Sequence, residues 1–182
     1  MIFRGYPELE SIFTPLSGKT MLEFGNKKTD GIVWKGYFDG LGFRHVSVDI
    51  NGADGALKMD LRQPLNLGTF DVVTNVGTSE HVSEQEPLWR NVAEAMHVGS
   101  LFISVTPLPG CWDWHGWWYP TEDFYKDFAR KNGMDVERLL VDGPKAKSQI
   151  YTRIVRVKEC DFAMPDMALM YFNKGGKKYE WR

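Results

Sequence analysis

Residues Phe70–Val82 read FDVVTNVGTSEHV. The stretch opens as an apolar run without helical period, Phe70-Asp71-Val72-Val73, where β-branched side chains favour extended backbone. It then breaks into short polar residues and glycine: Thr74, Asn75, Gly77, Thr78 and Ser79. That pattern predicts a buried strand ending in a loop of hydrogen-bonding groups. In open α/β sheets, ligands sit outside the carboxyl ends of strands, where strand order reverses. The reading places this strand beside that point and makes residues 75–81 part of one wall of a binding site.

Working outward, the rest of the chain supplies the other layers. Residues 6–16 form a short helix with Leu9, Ile12, Phe13 and Leu16 on one face; it either packs on the body or covers a ligand. Thr20–Phe24 is the first strand. A helix is expected to start near 27–30 and to carry Ile32, Val33, Trp34, Tyr37 and Phe38 before Gly40 and Gly42 stop it. His45–Ile50 is the second strand, with Asp49 at its carboxyl end. Residues 56–61 are short and extended, with Asp60 near the end. Helices are predicted over 84–96 and 122–132, the latter capped by Thr121 and ended by Gly133. Strands are predicted over 100–106, 135–141 and 149–157, the last two as a hairpin around Asp142-Gly143-Pro144. The tail from Met164 has no clear period.

Alternation of apolar strands with amphipathic helices predicts a Rossmann-like, doubly wound α/β fold. Its sheet is mostly parallel, with one antiparallel strand from the C-terminal hairpin. The 182 residues suit a single domain, 1–182, with an N-terminal helix or lid at 1–18 and a tail at 164–182. Net charge is −2 and the pI about 6.1, so nucleic acid and anionic membrane are disfavoured as partners. A local basic patch remains in the tail at Lys174, Lys177, Lys178 and Arg182. No apolar run is long enough to span a bilayer, and the N-terminus lacks a signal peptide's apolar segment, which points to the cytoplasm. The two cysteines, Cys111 and Cys160, form no C-x-x-C pair and indicate neither a zinc framework nor a disulfide.

The order of elements and the strand ends resemble the class I S-adenosylmethionine-dependent methyltransferases from about Thr20 to Val157. Residues 21–26, MLEFGN, resemble a first strand ending in acidic-x-Gly. Residues 45–50, HVSVDI, resemble a strand ending in the acidic residue that holds the ribose hydroxyls. Residues 58–61, KMDL, resemble the segment whose aspartate meets the adenine amino group. FDVVTNVGTSEHV followed by VGSLFISVTPLPG (98–110) resembles the later strand pair, and its Glu-His-Val is typical of small-molecule members. The resemblance implies S-adenosyl-L-methionine as cofactor, held by Glu23, Gly25, Asn26, Asp49, Ile50, Asp60, Leu61, Asn75 and Val76. A carboxylate such as Asp49 can accept from both vicinal ribose hydroxyls. After Gly25 the chain reads Asn26-Lys27-Lys28-Thr29, so the G-x-G-x-x-G that a dinucleotide pyrophosphate needs is missing, and an NAD enzyme is disfavoured.

The implied reaction is methyl transfer to oxygen or nitrogen of a small, ring-containing acceptor. His81 and His115 are the candidate bases, since imidazole titrates near neutrality. Four of the seven tryptophans lie between Cys111 and Tyr119. Trp112, Trp114, Trp117 and Tyr119, beside Trp118, would wall a flat substrate; the bland alternative for each is core or a dimer interface, which leaves a homodimer open. Glu80, His81 and His115 could also converge on a metal. Small-RNA 2′-O-methyltransferases carry Glu-x-x-Glu-His and a later histidine for that purpose. Gly77 stands here in the first glutamate's place, so no metal is expected. Two other readings are a nucleic-acid (RNA or nucleotide) methyltransferase and a non-catalytic S-adenosylmethionine-binding module.

Overall fold

The structure, a computed structural model, describes residues 7–16, 18–29, 31–112, 115–144 and 146–173. Helix α1 (Pro7–Phe13) precedes β1 (Thr20–Phe24). The short strands β2 (Lys28–Thr29) and β3 (Ile32–Val33) pair antiparallel and lead into α2 (Trp34–Gly40). Strands β4 (Arg44–Asp49), β5 (Leu57–Lys58) and β6 (Phe70–Val76) follow, then α3 (Gln85–Glu94) and the long β7 (Met96–Pro107). The chain continues through β8 (Trp118–Pro120), α4 (Glu122–Lys131), β9 (Met134–Asp142), β10 (Gln149–Arg156) and β11 (Met170–Phe172).

Seven strands form one sheet in the order β5-β4-β1-β6-β7-β10-β9. Pairings from β5 through β7 are parallel, and β10 runs antiparallel to both of its neighbours. The mostly parallel doubly wound sheet with one antiparallel strand is therefore as the sequence predicts. From β1 the chain steps outward to β4 and β5, then crosses back to β6 on the other side of β1. Strand order reverses between β1 and β6, so Phe70–Val76 does lie beside the switch point.

Alternation along the strands divides the core into two layers. On one face Met21, Val72, Val76, Ile103 and Val105 pack under α1 and α2, with Ile12, Phe13, Trp34 and Phe38 buried between. On the other, Leu22, Phe24, Val73 and Phe102 meet α3 and α4. There Trp89 is enclosed by the rings of Phe102, Phe124, Tyr125 and Phe128, at centroid distances of 4.8–6.1 Å. Thr121 caps α4 as predicted, its Oγ1 accepting from Phe124 N at 3.2 Å. No described helix is long and apolar enough to cross a membrane.

Three expectations change. The helix expected from 27–30 begins only at Trp34. Thr29, Ile32 and Val33 are β-branched, Gly31 turns the chain at φ 79°, and the segment forms the β2–β3 hairpin instead. The extended stretch expected at 56–61 pairs through Leu57 and Lys58 alone. The strand expected at 100–106 extends back to Met96, because Phe70 pairs with Met96 across a register shift. From the tail, β11 pairs antiparallel with β8, so residues 170–172 are tied to the body. The basic residues beyond Asn173 lie outside the described residues.

Beneath the sheet's α1–α2 face sits a buried pair. Glu23 of β1 and His45 of β4 are closed to solvent, with Glu23 Oε2 3.4 Å from His45 Nε2, and the imidazole stacks on Phe38. Burial penalises both charged forms, pushing the Glu23 carboxyl up to about 8 and His45 down to about 4. The neutral forms therefore meet across the β1–β4 junction near neutrality. Folding takes up protons on Glu23 between its ordinary value and about 8, which lowers stability as pH rises through that window. His45 acts oppositely, but only between about 4 and its ordinary value of 6.5. From pH 6.5 to 8 Glu23 acts unopposed. Denaturant melts should show the protein losing about 1 to 2 kcal/mol across that interval. Glu23→Gln should flatten the slope; an unchanged slope would place its origin elsewhere.

Candidate functional site

The carboxyl ends of β4, β1, β6 and β7 lie side by side, and the loops leaving them are built from short polar contacts. Thr78 Oγ1 donates to the Phe24 carbonyl at 2.8 Å, closing the β1–β6 crevice from one side. Gly25 N donates to the Val48 carbonyl at 2.8 Å. Gly25 adopts φ 85°, and a Cβ there would stand 2.3 Å from Thr78 Oγ1. Its glycine is thus required by the packing of the two loops. Glu23 Oε1 accepts from Lys27 N at 2.9 Å and shapes the loop from within. Asn26 Nδ2 donates to the Ala53 carbonyl at 2.7 Å, while its Oδ1 is buried with no hydrogen-bond partner among the described residues.

The remaining residues expected to hold the cofactor separate into open and committed groups. Asp49 is half-buried at the end of β4. Its Oδ1 accepts from Asn51 N at 3.0 Å, and its other oxygen accepts nothing among the described residues. Ile50 follows it, also half-buried. Asp60 is gripped by the Arg62 side chain at 2.7–3.0 Å, and those bonds hold its carboxyl below the usual range. Asn75 is fully buried and spent inside: Nδ2 donates to Ser79 and Ser104 Oγ, and Oδ1 accepts from Ser79 N. Leu61 and Val76 are buried apolar side chains.

Beyond β6, a single helical turn (Ser79–His81) carries Glu80 inward and His81 to the edge. Glu80 is closed to solvent, and neither carboxylate oxygen has a hydrogen-bond partner among the described residues. His115 Nε2 stands 3.6 Å and His81 Nε2 3.9 Å from Glu80 Oε1. The two imidazoles meet edge to face, with centroids 4.8 Å apart. Gly116 makes this closure possible: a Cβ there would stand 2.7 Å from the Glu80 carbonyl oxygen and 2.9 Å from Glu80 Cβ and Cγ. Trp117 N donates to the same Glu80 carbonyl at 2.6 Å.

The aromatic loop divides by role. Trp112 lies tilted against His115 with centroids 5.0 Å apart, and its Nε1 donates to the Ser148 carbonyl. Trp117 stacks on Phe172 at 6.2 Å, so the tail reaches this wall. Tyr119 is 1 % exposed and acts as a latch. Its hydroxyl donates to the Trp112 carbonyl and accepts from Gly116 N and Asn173 Nδ2. Trp114 lies outside the described residues.

Sequence reasoning overlooked three contributors. Thr78 falls within the expected wall, 75–81, without a role of its own, and Gly116 is not singled out. Tyr125, on the inward face of α4, sends its hydroxyl to Ser104 and Thr106 at 2.9 and 3.0 Å. Burial raises that phenol's pKa. A glycine between His115 and Trp117 was the available signal for close approach.

Gly116→Ala should destabilise the protein by about 1–3 kcal/mol in a denaturant melt, because backbone and the buried Glu80 stem must move. Gly36→Ala is the control. It sits in α2 with nothing within 4 Å and should be neutral or gain up to about 1 kcal/mol.

No protein-family model matches the sequence, and no curated protein matches it. Solved structures do match. The Burkholderia thailandensis 1,6-didemethyltoxoflavin-N1-methyltransferase, with 1,6-didemethyltoxoflavin and S-adenosylhomocysteine bound, superposes with TM-score 0.61 at 13% identity, over 84% of this chain and 78% of that one. The N-methyltransferase NodS from Bradyrhizobium japonicum, in complex with S-adenosylhomocysteine, gives 0.62 at 10% identity, over 85% and 86%. The O-methyltransferase of a Brevibacillus brevis trans-AT polyketide synthase multienzyme, also with S-adenosylhomocysteine, gives 0.58 at 8% identity, over 85% and 77%. The chain has the Rossmann-like fold of S-adenosylmethionine-dependent methyltransferases.

Proposed function

We propose that the chain is an S-adenosylmethionine-dependent methyltransferase acting on oxygen or nitrogen of a small, ring-containing molecule. The observation that carries this reading is the layout across the switch point. Asp49, with one oxygen open among the described residues, ends β4 on one side of β1; on the other side Glu80 and His81 follow β6, and His115 joins them from the loop after β7. Strands lie about 4.8 Å apart, so β4 and β6 are separated by about 10 Å, a span that suits ribose at one end and a transferable methyl at the other. The solved methyltransferases of the same fold, bound to S-adenosylhomocysteine, support the cofactor.

In this reading Asp49 holds the ribose hydroxyls. Gly25, Asn26 and Ile50 form the floor, and the buried Asn26 Oδ1 is an acceptor aimed at a donor it does not find within the described residues. Glu23 and Asn75 support the loops from beneath. Asp60 and Leu61 close the adenine side, with Asp60 sharing its carboxylate with Arg62. Trp112 and Trp117 wall the acceptor. An acceptor hydroxyl gives up its proton at the cluster that contains His81 and His115. Its oxygen then forms the new bond to carbon as the carbon–sulfur bond breaks and the electron pair returns to sulfur. The cofactor supplies the reactivity, and the protein supplies alignment and exclusion of water.

Calorimetric titration with S-adenosylhomocysteine, S-adenosylmethionine and NAD tests the reading. The first two should bind and NAD should not. Asp49→Ala should weaken S-adenosylhomocysteine at least tenfold with an unchanged melting transition. Absence of binding to both adenosyl ligands, or full affinity in Asp49→Ala, would overturn it.

A further inference from the structure

We infer that Glu80, His81 and His115 form a binding site for a divalent transition-metal ion. Their donor atoms, one from each side chain, all lie within 4.8 Å of one another. Among the described residues, this is the cluster of three histidine, cysteine or carboxylate side chains that converges in this way. A tetrahedral ion with bonds of about 2.0–2.1 Å holds its ligand atoms about 3.4 Å apart. The observed 3.6 and 3.9 Å from Glu80 Oε1 to the two Nε2 atoms need only a small contraction, and the separation between the two histidine donors, within 4.8 Å, closes by rotation of the partly exposed imidazoles.

The second observation is independent of this spacing. Glu80 is 0% exposed, and both of its oxygens are buried without a hydrogen-bond partner among the described residues. A buried carboxylate left in that state costs several kcal/mol of desolvation, unless a cation stands in front of it. The loop is built to keep it there. Gly116 lies against its stem, and Trp117 N holds its carbonyl. Lys27 approaches the same loop: a Cβ at Gly77 would stand 3.5 Å from Lys27 Nζ and 3.7 Å from Glu80 Oε1. Lys27 and Glu80 form no ion pair within 4.0 Å among the described residues.

Two imidazoles and one carboxylate select the ion. The set suits Zn²⁺, Fe²⁺, Co²⁺ or Mn²⁺, whereas Mg²⁺ and Ca²⁺ prefer all-oxygen shells. Three protein ligands leave further positions open, and the two histidine side chains are 14% and 29% exposed on the side facing solvent. The consequence for chemistry rests on the methyltransferase reading. An ion there would act as a Lewis acid toward the acceptor's hydroxyl oxygen. With the two imidazoles engaged on the cation, the hydroxyl proton released at this cluster would pass on to solvent. This replaces the expectation that Gly77, standing where a further glutamate would be, leaves the set too small.

The test uses the full chain stripped with chelator. Co²⁺, Zn²⁺ and Mg²⁺ are titrated by calorimetry, and Co²⁺ is also followed by its visible d–d absorption. One Co²⁺ or Zn²⁺ per chain should bind, with no matching Mg²⁺ isotherm. Glu80→Gln and His115→Ala should each weaken Co²⁺ at least tenfold. His115 is the more exposed position and serves if Glu80→Gln fails to fold, with the melting transition as the check. Failure of Co²⁺ and Zn²⁺ to bind, or equal affinity in a folded variant, overturns the inference. S-adenosylhomocysteine binding without metal binding removes the metal site and leaves the methyltransferase reading; metal binding without S-adenosylhomocysteine does the reverse.

Discussion

The parallel pairing of β1 with β6 is pinned at both ends, and the whole carboxyl edge depends on it. At the amino end, Asp71 accepts from Lys19 N, Thr20 N and Thr20 Oγ1 at 2.7–2.9 Å. The bond from Lys19 N, with those from Thr20, draws its carboxyl down to about 2. At the other end, Thr78 Oγ1 grips the Phe24 carbonyl. A one-residue slip would turn every side chain of β1 to the wrong layer. With register held at both ends, Glu23 falls on the α1–α2 face and Phe24 on the other, and the loops after both strands leave the sheet at the switch point.

From that clamp a buried polar network extends across the top of β6 and β7. Asn75 joins Ser79 to Ser104, Ser104 meets the Tyr125 hydroxyl, and Tyr125 reaches Thr106. Gln85 secures the same turn through the Ser79 and Val82 carbonyls and is itself held by Trp89. Buried polar groups that satisfy one another rigidify their surroundings. The network holds the turn that bears Glu80, whose two carboxylate oxygens have no hydrogen-bond partner among the described residues.

Local signals carried much of the fold. Val72 and Val73 marked a buried strand, Thr121 marked the start of α4, and Asp142-Gly143-Pro144 marked the turn that makes β10 antiparallel. Each depends on residues within a few positions of one another. The hairpin at 28–33 was hidden because Ile32, Val33, Trp34, Tyr37 and Phe38 also fit one helical face, and the period does not reveal where the helix starts. The site was less legible. Asp49 stood out at a strand end and has an open oxygen there. Asn75 and Asp60 sit at equally suggestive places, yet their polar atoms are taken up by Ser79, Ser104 and Arg62. A sequence lists donors and acceptors but not which of them have already been used.

The sequence by itself determined the order of the main-sheet strands and the helices between them, the antiparallel closing strand and the acidic residues at the strand ends. These follow from hydrophobic period, turn residues and caps, which act over short distances along the chain. Only the tertiary structure decided that His115 reaches Glu80. That contact joins loops from two different strands, and it depends on the absence of a side chain at Gly116 and on the Tyr119 latch to the Trp112 carbonyl. Convergence of this kind is set by packing between distant segments, so no local pattern records it.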